Sequence, residues 1–386
     1  MIKQPSPELS DIIHRLKQGQ YHNTAAIVLL SRPTKEPLSS AANELNHCRT
    51  MFQLEEQRIL DEVRRRGAKR VLLQMPEGLK PIGFKLAKLL EKETSAEILV
   101  SGDPCYGACD LALYPKKRIE ADLLIHVGHA EMPGEFAEET ILYIEAQAEE
   151  SIDEPMEKTI QMLEKERVIG LASNIQHIHQ IERARKILEG HGKQVMVGRP
   201  SGWLKYSGQV LGCDYGSVRA IAEKVDAVVV LSGGDFHAIG IPLATGKRTI
   251  VVDPFQQTAK DMTEACRKLL RKRWINIAKF RDAKRIGIIV GLKSSQMNIS
   301  LARRLKRLLD ENGYSTIIIL ASEVIPETIG SFTDLDAYVE ISCPRISTDD
   351  QDRYQKPILN PEEAMVALGK KSWEDYTKEM TLEEWH

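Results

Sequence analysis

The order of apolar and polar positions repeats three times along the chain. Each repeat begins with a run of apolar residues, continues through a segment with helical periodicity, and ends with two further apolar runs. Consecutive apolar runs of this length are typical of strands that are buried on both faces of a parallel sheet. The first repeat predicts strands over residues 70–75, 96–100 and 122–127, with a helix around 84–93.

The second and third repeats follow the same plan. The second predicts strands over 167–171, 194–197 and 226–231, and the third over 285–290, 316–320 and 336–341. The interval from the first strand to the aspartate that opens the third strand is 51, 58 and 50 residues. The sequence therefore predicts an α/β protein of three tandem related domains, with mostly parallel sheets arranged around a pseudo-threefold axis.

Acidic and polar linkers between the repeats give the expected domain boundaries. We expect α/β domains over residues 51–150, 151–275 and 276–350, an N-terminal extension over 1–50, and a C-terminal tail over 351–386. A short amphipathic helix is expected over 9–16. Asn360 followed by Pro361 and two acidic residues predicts the start of a helix in the tail. Beyond it, Trp373, Tyr376 and Trp385 are expected to pack on the body or on a second subunit.

Composition narrows the possible partners. Lys and Arg number 53 and Asp and Glu number 55, so no strong net charge attracts nucleic acid or an acidic membrane surface. No apolar stretch approaches the roughly 18–20 residues that a membrane span needs, and the N-terminus lacks the apolar core of a signal peptide. We expect a cytoplasmic protein without a membrane or nucleic-acid partner.

Three of the six cysteines occupy related positions. Cys109 and Cys213 each lie 13 residues before the aspartate of a third strand, and Cys343 lies 7 residues after Asp336. Ligands of parallel α/β sheets bind beyond the carboxyl ends of the strands. If the three domains face one another, three thiolates converge. Three cysteines without a fourth suit a [4Fe–4S] cluster with one open iron better than structural zinc.

Of the other three cysteines, one competes with the predicted set of cluster ligands. Cys105 forms a C-x3-C pair with Cys109 and competes with it as a ligand, although the second repeat has no cysteine at the corresponding position. Cys48 and Cys266 are interpreted as packing residues. The candidate cofactor contacts lie in the Cys109 loop and in the segments after the third strands of the first two repeats. They are Tyr106, Gly107, His129, Ser232, Gly233 and Gly234.

Four motifs resemble one enzyme family. They read LQMPEGL at 73–79, GDPCYGACD at 102–110, LGCD at 211–214 and ISCP at 341–344. In this order they resemble the archaeal-type diphthamide synthase, or 2-(3-amino-3-carboxypropyl)histidine synthase, over residues 55–365. The resemblance implies a homodimer of three-domain chains, with Cys109, Cys213 and Cys343 as ligands of a [4Fe–4S] cluster.

The resemblance also implies an activity. In that family S-adenosylmethionine binds the open iron, and an external electron donor reduces the cluster. Cleavage of the bond between sulfur and the methionine γ-carbon gives methylthioadenosine and a 3-amino-3-carboxypropyl radical. This fragment adds to imidazole C2 of a histidine in translation elongation factor 2, the first step of diphthamide synthesis.

Two alternatives remain. Quinolinate synthase, a dehydrating condensation enzyme, also has three pseudosymmetric domains with one cluster cysteine each. The PEG and GACD signatures at 76–78 and 107–110, and the long tail, argue against it. The chain could also be a non-catalytic iron–sulfur subunit of a heteromeric synthase. Cysteine at all three ligand positions favours a catalytic chain.

Overall fold

The computed structural model describes residues 51–133 and 140–378. These residues form an α/β fold with one small two-stranded sheet and three larger sheets. Each large sheet contains the strands of one sequence repeat, and we call the three resulting segments the first, second and third units. The amphipathic helix expected over 9–16, Cys48 and Trp385 lie outside the described residues.

The first unit begins with the small sheet and ends with it, because β1 pairs antiparallel with β6. Between them a four-stranded parallel sheet alternates with helices. Its elements are β1 (Phe52–Gln53), α1 (Glu56–Arg66), β2 (Arg70–Gln74), α2 (Lys80–Thr94), β3 (Glu97–Val100), α3 (Leu113–Arg118), β4 (Leu123–Val127), β5 (Ile141–Ile144) and β6 (Gln147–Ala148).

The second unit adds a fifth strand to the same plan. Its last strand lies antiparallel at the sheet edge, and a long helix leads to the next unit. Its elements are α4 (Asp153–Met162), β7 (Val168–Ser173), α5 (Ile181–Gly190), β8 (Gln194–Met196), α6 (Gly216–Arg219), β9 (Ala227–Leu231), α7 (Gly240–Thr245), β10 (Arg248–Asp253), β11 (Thr258–Asp261) and α8 (Thr263–Arg281).

The third unit takes its last strand from the C-terminal segment. All four of its strands are parallel. Its elements are β12 (Arg285–Gly291), α9 (Ile299–Glu311), β13 (Ser315–Ala321), α10 (Pro326–Ile329), β14 (Ala337–Ile341), α11 (Pro344–Thr348), β15 (Ile358–Leu359), α12 (Pro361–Ala367) and α13 (Trp373–Lys378).

The strand order is the same in all three units. The orders β3-β2-β4-β5, β8-β7-β9-β10 and β13-β12-β14-β15 each place the second strand at the edge and the first beside the third. The third strands, β4, β9 and β14, are buried along their whole length because they have a strand on each side and helices on both faces. The predicted class, an α/β protein with mostly parallel sheets, is confirmed.

An aspartate fastens the first and third strands together in every unit. Asp122 Oδ2 accepts hydrogen bonds from the backbone N–H groups of Lys69 and Arg70, at 2.8 and 2.9 Å. Asp226 does the same for Arg167 and Val168. Asp336 does the same for Lys284 and Arg285. We call these three residues the clasp aspartates; they explain why an aspartate recurs at this position.

The structure also shows where the expected boundaries fall. The expected boundary between 275 and 276 lies inside α8, and the expected tail, 351–386, contributes β15 to the third sheet. The predicted helix start at Asn360 is confirmed, with a complete capping box between Asn360 and Glu363. Trp373 and Tyr376 pack against the third unit, and Cys266 lies in its apolar core, as predicted.

None of the helices in the described part of the chain combines the length and the apolar character needed to cross a membrane.

Candidate metal centre

Cys109 lies in the loop that follows β3, and the third unit holds that loop. Its carbonyl oxygen accepts hydrogen bonds from the hydroxyls of Ser294, at 3.0 Å, and Ser295, at 2.9 Å. Gln296 directs its amide nitrogen to Cys109 Sγ at 3.7 Å. These residues follow β12, the first strand of the third sheet. The carboxyl ends of strands from two sheets therefore meet at Cys109.

Glycines make room beside two of the cysteines. A Cβ at Gly107 would lie 3.3 Å from Cys109 Sγ, which is tight for a sulfur contact. A Cβ at Gly212, directly before Cys213, would lie 2.7 Å from the ring of Phe236. A side chain at Gly107 would crowd the thiol of Cys109, and one at Gly212 would require the ring of Phe236 to move.

Cys213 and Cys343 are connected through Arg345. Cys343 follows β14 and precedes the first residue of α11. Two residues on, Arg345 donates to the carbonyl of Phe236 at 2.7 Å, and its guanidinium carbon lies 4.2 Å from the centre of that ring. Phe236 follows β9 and packs where the Cβ of Gly212 would be. The third unit thereby contacts the segment before Cys213 in the second.

The three thiols lie close enough to affect one another's ionisation. Burial raises the pKa of Cys343 well above its usual value, and the charges of Cys109 and Cys213 raise it further. Burial and the charge of Cys109 likewise raise the pKa of Cys213. None of the described cysteines forms a disulfide. Three partly buried thiols in this arrangement resist ionisation unless a cation compensates the thiolates.

Lys293 joins the first and third units beside Cys109. Its ammonium lies 2.9 Å from Asp110 Oδ2 and 2.7 Å from Glu323 Oε1, and its side chain is only 13% exposed. Burial alone would lower the pKa of Lys293, but its two carboxylate partners outweigh that effect and raise it. The residue after Cys109 is therefore fixed by a charge-assisted contact to another sheet.

The residues predicted to contact a cofactor all lie beyond the carboxyl ends of strands. Tyr106 is 59% exposed, and its hydroxyl contacts Glu323 of the third unit. His129 follows β4, and burial lowers its pKa to about 4, so its ring is neutral at physiological pH. Ser232 is buried, with its hydroxyl 3.3 Å from His237 Nδ1. The N–H of Gly234 already donates to Asp253, which leaves that amide committed within the protein.

Several residues at this end of the sheets were missed in the sequence. They are Lys293, Ser294, Ser295 and Gln296 after β12, Arg345 after Cys343, and Glu340 within β14. Glu340 is fully buried, and burial raises its pKa to about 7. Residues 293–296 follow a first strand, whereas the cysteine spacing pointed only to segments beside third strands. Applying the strand-end rule to first strands would have found them.

Fold and site together define an α/β protein with three large sheets and a candidate thiolate metal centre. A family model described as "Putative diphthamide synthesis protein" matches residues 75–377. The 2-(3-amino-3-carboxypropyl)histidine synthase of Pyrococcus horikoshii is 35% identical over 320 residues, covering 83% of this chain and 91% of that protein. Subunit 1 of the human enzyme is 28% identical, covering 84% of this chain and 73% of that protein.

A solved structure agrees with these matches. The crystal structure of Dph2 from Pyrococcus horikoshii with a 4Fe-4S cluster superposes with a TM-score of 0.77 at 34% identity, covering 83% of this chain and 93% of that one. The chain belongs to the diphthamide synthesis protein family. The family predicted from the four motifs is confirmed, and the predicted enzyme class is the one that the curated relatives carry in their names.

Proposed function

We propose that this chain transfers a 3-amino-3-carboxypropyl group from S-adenosylmethionine to imidazole C2 of a histidine in translation elongation factor 2. Overall, one sulfur–carbon bond breaks, one carbon–carbon bond forms, methylthioadenosine leaves and the C2 proton is released. The observation that carries this proposal is the set of three partly buried cysteines, one per unit, whose thiols act on one another's charge.

Cys109, Cys213 and Cys343 are the proposed ligands of a [4Fe–4S] cluster. The donor set fits this group, because clustered buried thiolates need compensating positive charge and the irons supply it. Three protein thiolates leave one iron open. When bound and reduced, such a cluster supplies an electron and a coordination site for cleavage of S-adenosylmethionine.

The protein itself positions the ligands. The hydroxyls of Ser294 and Ser295 fix the backbone of Cys109, and Gln296 reaches its sulfur. Arg345 places a buried positive charge beside Cys213 and Cys343. All four residues belong to the third unit and reach the first and second units, so the correct approach of the three thiols depends on how the units pack.

The proposed S-adenosylmethionine contacts lie beyond the carboxyl ends of strands, as the three cysteines do. Tyr106 and Gly107 share the Cys109 loop. His129 and the segment 232–234 follow the third strands of the first and second sheets. His237, close to Ser232, lies within electrostatic reach of both His129 and Arg345, which supports a common site for these segments.

The arrangement of domains, the oligomeric state and the partners are also part of this proposal. The shared strand order supports three related domains around a pseudo-threefold axis, divided near 150 and 275, with the cysteine-bearing ends inward. The family resemblance supports a homodimer that takes electrons from an external donor. The balance of 53 basic and 55 acidic residues and the short apolar runs support a cytoplasmic protein without a membrane or nucleic-acid partner. Because the net charge is near zero, recognition of the protein substrate depends on shape and local contacts.

The proposal predicts a brown protein with about four irons per chain after anaerobic preparation. Changing Cys109, Cys213 or Cys343 to Ala should each abolish the cluster and the activity, whereas Cys266→Ala should retain both. Iron and sulfide analysis and electron paramagnetic resonance measure the cluster. Full iron in Cys109→Ala, with loss in Cys105→Ala, would instead identify Cys105 as the ligand.

The activity assay separates the alternatives. With dithionite and S-adenosylmethionine, the protein should release methylthioadenosine and modify one histidine of elongation factor 2, detected by mass spectrometry. Intact S-adenosylmethionine together with quinolinate from iminoaspartate and dihydroxyacetone phosphate would support the condensation enzyme. A complete cluster without cleavage would indicate a non-catalytic subunit.

A further inference from the structure

A second group of metal-ligand atoms lies in the first unit, separate from the three proposed cluster cysteines. Cys105 Sγ and ring nitrogens of His126 and His129 lie within 4.8 Å of one another. Cys105 is 1% exposed and His126 is fully buried. The cysteine comes from the loop after β3, and both histidines come from the carboxyl end of β4 and the turn that follows it.

Gln74 determines which nitrogen of His126 carries a proton. The Gln74 side-chain nitrogen donates to the carbonyl of Asp110 at 2.6 Å, and its oxygen accepts from the N–H of Ala112 at 3.0 Å. This oxygen also lies 2.9 Å from His126 Nδ1, which must therefore donate to it. His126 Nε2 is consequently unprotonated and presents its lone pair.

That lone pair points at the other members of the group. His126 Nε2 lies 3.0 Å from His129 Nδ1, which donates a hydrogen bond to it. A cation bound between these two nitrogens would replace that proton, and His129 would then carry its proton on Nε2. Tyr143 packs edge-on against the His126 ring with centres 5.5 Å apart, which fixes the ring plane. A histidine whose outer N–H donates to a fixed oxygen, while its inner nitrogen faces further ligands, has the arrangement of metal-binding histidines.

We propose that Cys105, His126 and His129 bind a single divalent cation, zinc above all, at a site separate from the three-cysteine centre. One thiolate and two imidazoles form a donor set that zinc prefers. The charges of Asp110, Cys109 and Glu77 act on Cys105 and favour a cation there, while Lys293 opposes them. Within the described residues the group has three members, which leaves a fourth tetrahedral position open.

The bound cation would fasten the loop that carries Cys109. Cys105 lies four residues before Cys109, and the histidines belong to the buried third strand of the same sheet. A metal bond between them fixes the loop to that strand. His129 has two ring nitrogens, so metal binding through one leaves the other for the proposed cofactor contact.

Cobalt(II) titration tests the site without substrate or cluster. In full-length protein carrying Cys109→Ala, Cys213→Ala and Cys343→Ala, about one equivalent should bind with a sulfur-to-cobalt charge-transfer band and tetrahedral d–d bands, and zinc should displace it. Adding Cys105→Ser should remove the charge-transfer band, and adding His126→Gln or His129→Gln should weaken binding at least 10-fold. Adding Cys266→Ser should change nothing. No band, or a band unchanged by Cys105→Ser, overturns the proposal.

Two further measurements keep the test decisive if the triple variant fails to fold. Wild-type protein with a complete cluster, grown with zinc, should contain about one zinc per chain beyond its iron, and Cys105→Ser should lack it. Equal zinc in both overturns the site. Gln74→Leu should weaken metal binding roughly 10–100-fold while keeping the charge-transfer band, as expected for a residue that only orients a ligand. Neither measurement depends on transferase activity.

Discussion

The charged groups at the two ends of the three large sheets differ in burial and in the partners that they contact. At the amino ends, the clasp aspartates are exposed or half-buried, accept the same pair of backbone hydrogen bonds, and have lowered pKa values because of those bonds. At the carboxyl ends, Glu340 is buried with a raised pKa, and buried Arg345 and partly buried Lys293 contact other units. The charged residues at the amino ends are therefore the same in every unit, and those at the carboxyl ends, where the candidate site lies, differ from unit to unit.

This contrast has a simple physical origin. An exposed carboxylate that satisfies two strand N–H groups is useful in any copy of the unit and needs no neighbour from another sheet. At the other end, each connection must meet groups from different sheets, so its residues depend on that unit's position. The charged residues at the amino ends of the strands therefore reflect the architecture that the three units share. Those at the carboxyl ends reflect the position of each unit around the candidate site.

The largest expected effect on stability concerns a buried ion pair that contacts the short helix after Cys343. Arg273 and Glu363 are fully buried, and Arg273 also donates to Gln351 and to the carbonyls of Ser347 and Ile358. Arg273→Met leaves an unpaired buried carboxylate and should lower the free energy of unfolding by about 3–5 kcal/mol. Urea denaturation followed by circular dichroism measures it.

An exposed ion pair provides the control for this experiment. Arg183 and Asp153 pair on the surface with side chains 59% and 49% exposed. Arg183→Met should change the free energy of unfolding by less than about 1 kcal/mol. Similar losses in the two variants would show that burial does not determine the strength of these contacts.

Glu340 should give the next largest effect, and its sign depends on pH. Its pKa is raised from 4.5 to about 7 by burial, so ionisation costs stability progressively as pH rises from about 4.5 to 7. Glu340→Gln removes this cost. Relative to wild type, the variant should become more stable between pH 5 and pH 8, by an amount of order 2–3 kcal/mol. Thermal unfolding at the two pH values measures it, and a constant difference would contradict it.

The clasp aspartates should give the smallest effect, with the opposite dependence on pH. Their lowered pKa values mean that their contribution is complete above the unfolded value of 3.8 and is lost as pH falls through the folded values. Asp122→Asn, Asp226→Asn and Asp336→Asn should each lower the melting temperature modestly at pH 7, by similar amounts, and much less near pH 3.

Asp334, which is exposed on the turn before β14, serves as the matched control for the clasp residues. Asp334→Asn should leave the melting temperature unchanged at both pH values. A loss in only one of the three clasp variants would contradict their equivalence. A loss that persists at pH 3 would show that shape, rather than charge, carries the contribution.

The sequence by itself determined the repeating elements, because the signals that produce them are local. Continuous apolar runs predicted the first three strands of each unit to within about two residues, as expected for strands buried on both faces, whereas the fourth strands β5, β10 and β15 were not predicted. The recurring aspartate revealed equivalent positions before its hydrogen bonds were known. The four motifs determined the family, because they preserve particular residues in a particular order.

Only the tertiary structure decided which side chains meet. Residues 294–296 reach Cys109 across more than 180 positions of sequence, and Arg345 reaches Phe236 across 109. Gln74, Cys105, His126 and His129 lie in segments that no local pattern connects. Their proximity follows from strand order and from the direction of parallel strands, which place the ends of distant segments side by side. Periodicity along the chain determines elements, whereas long-range packing determines the site.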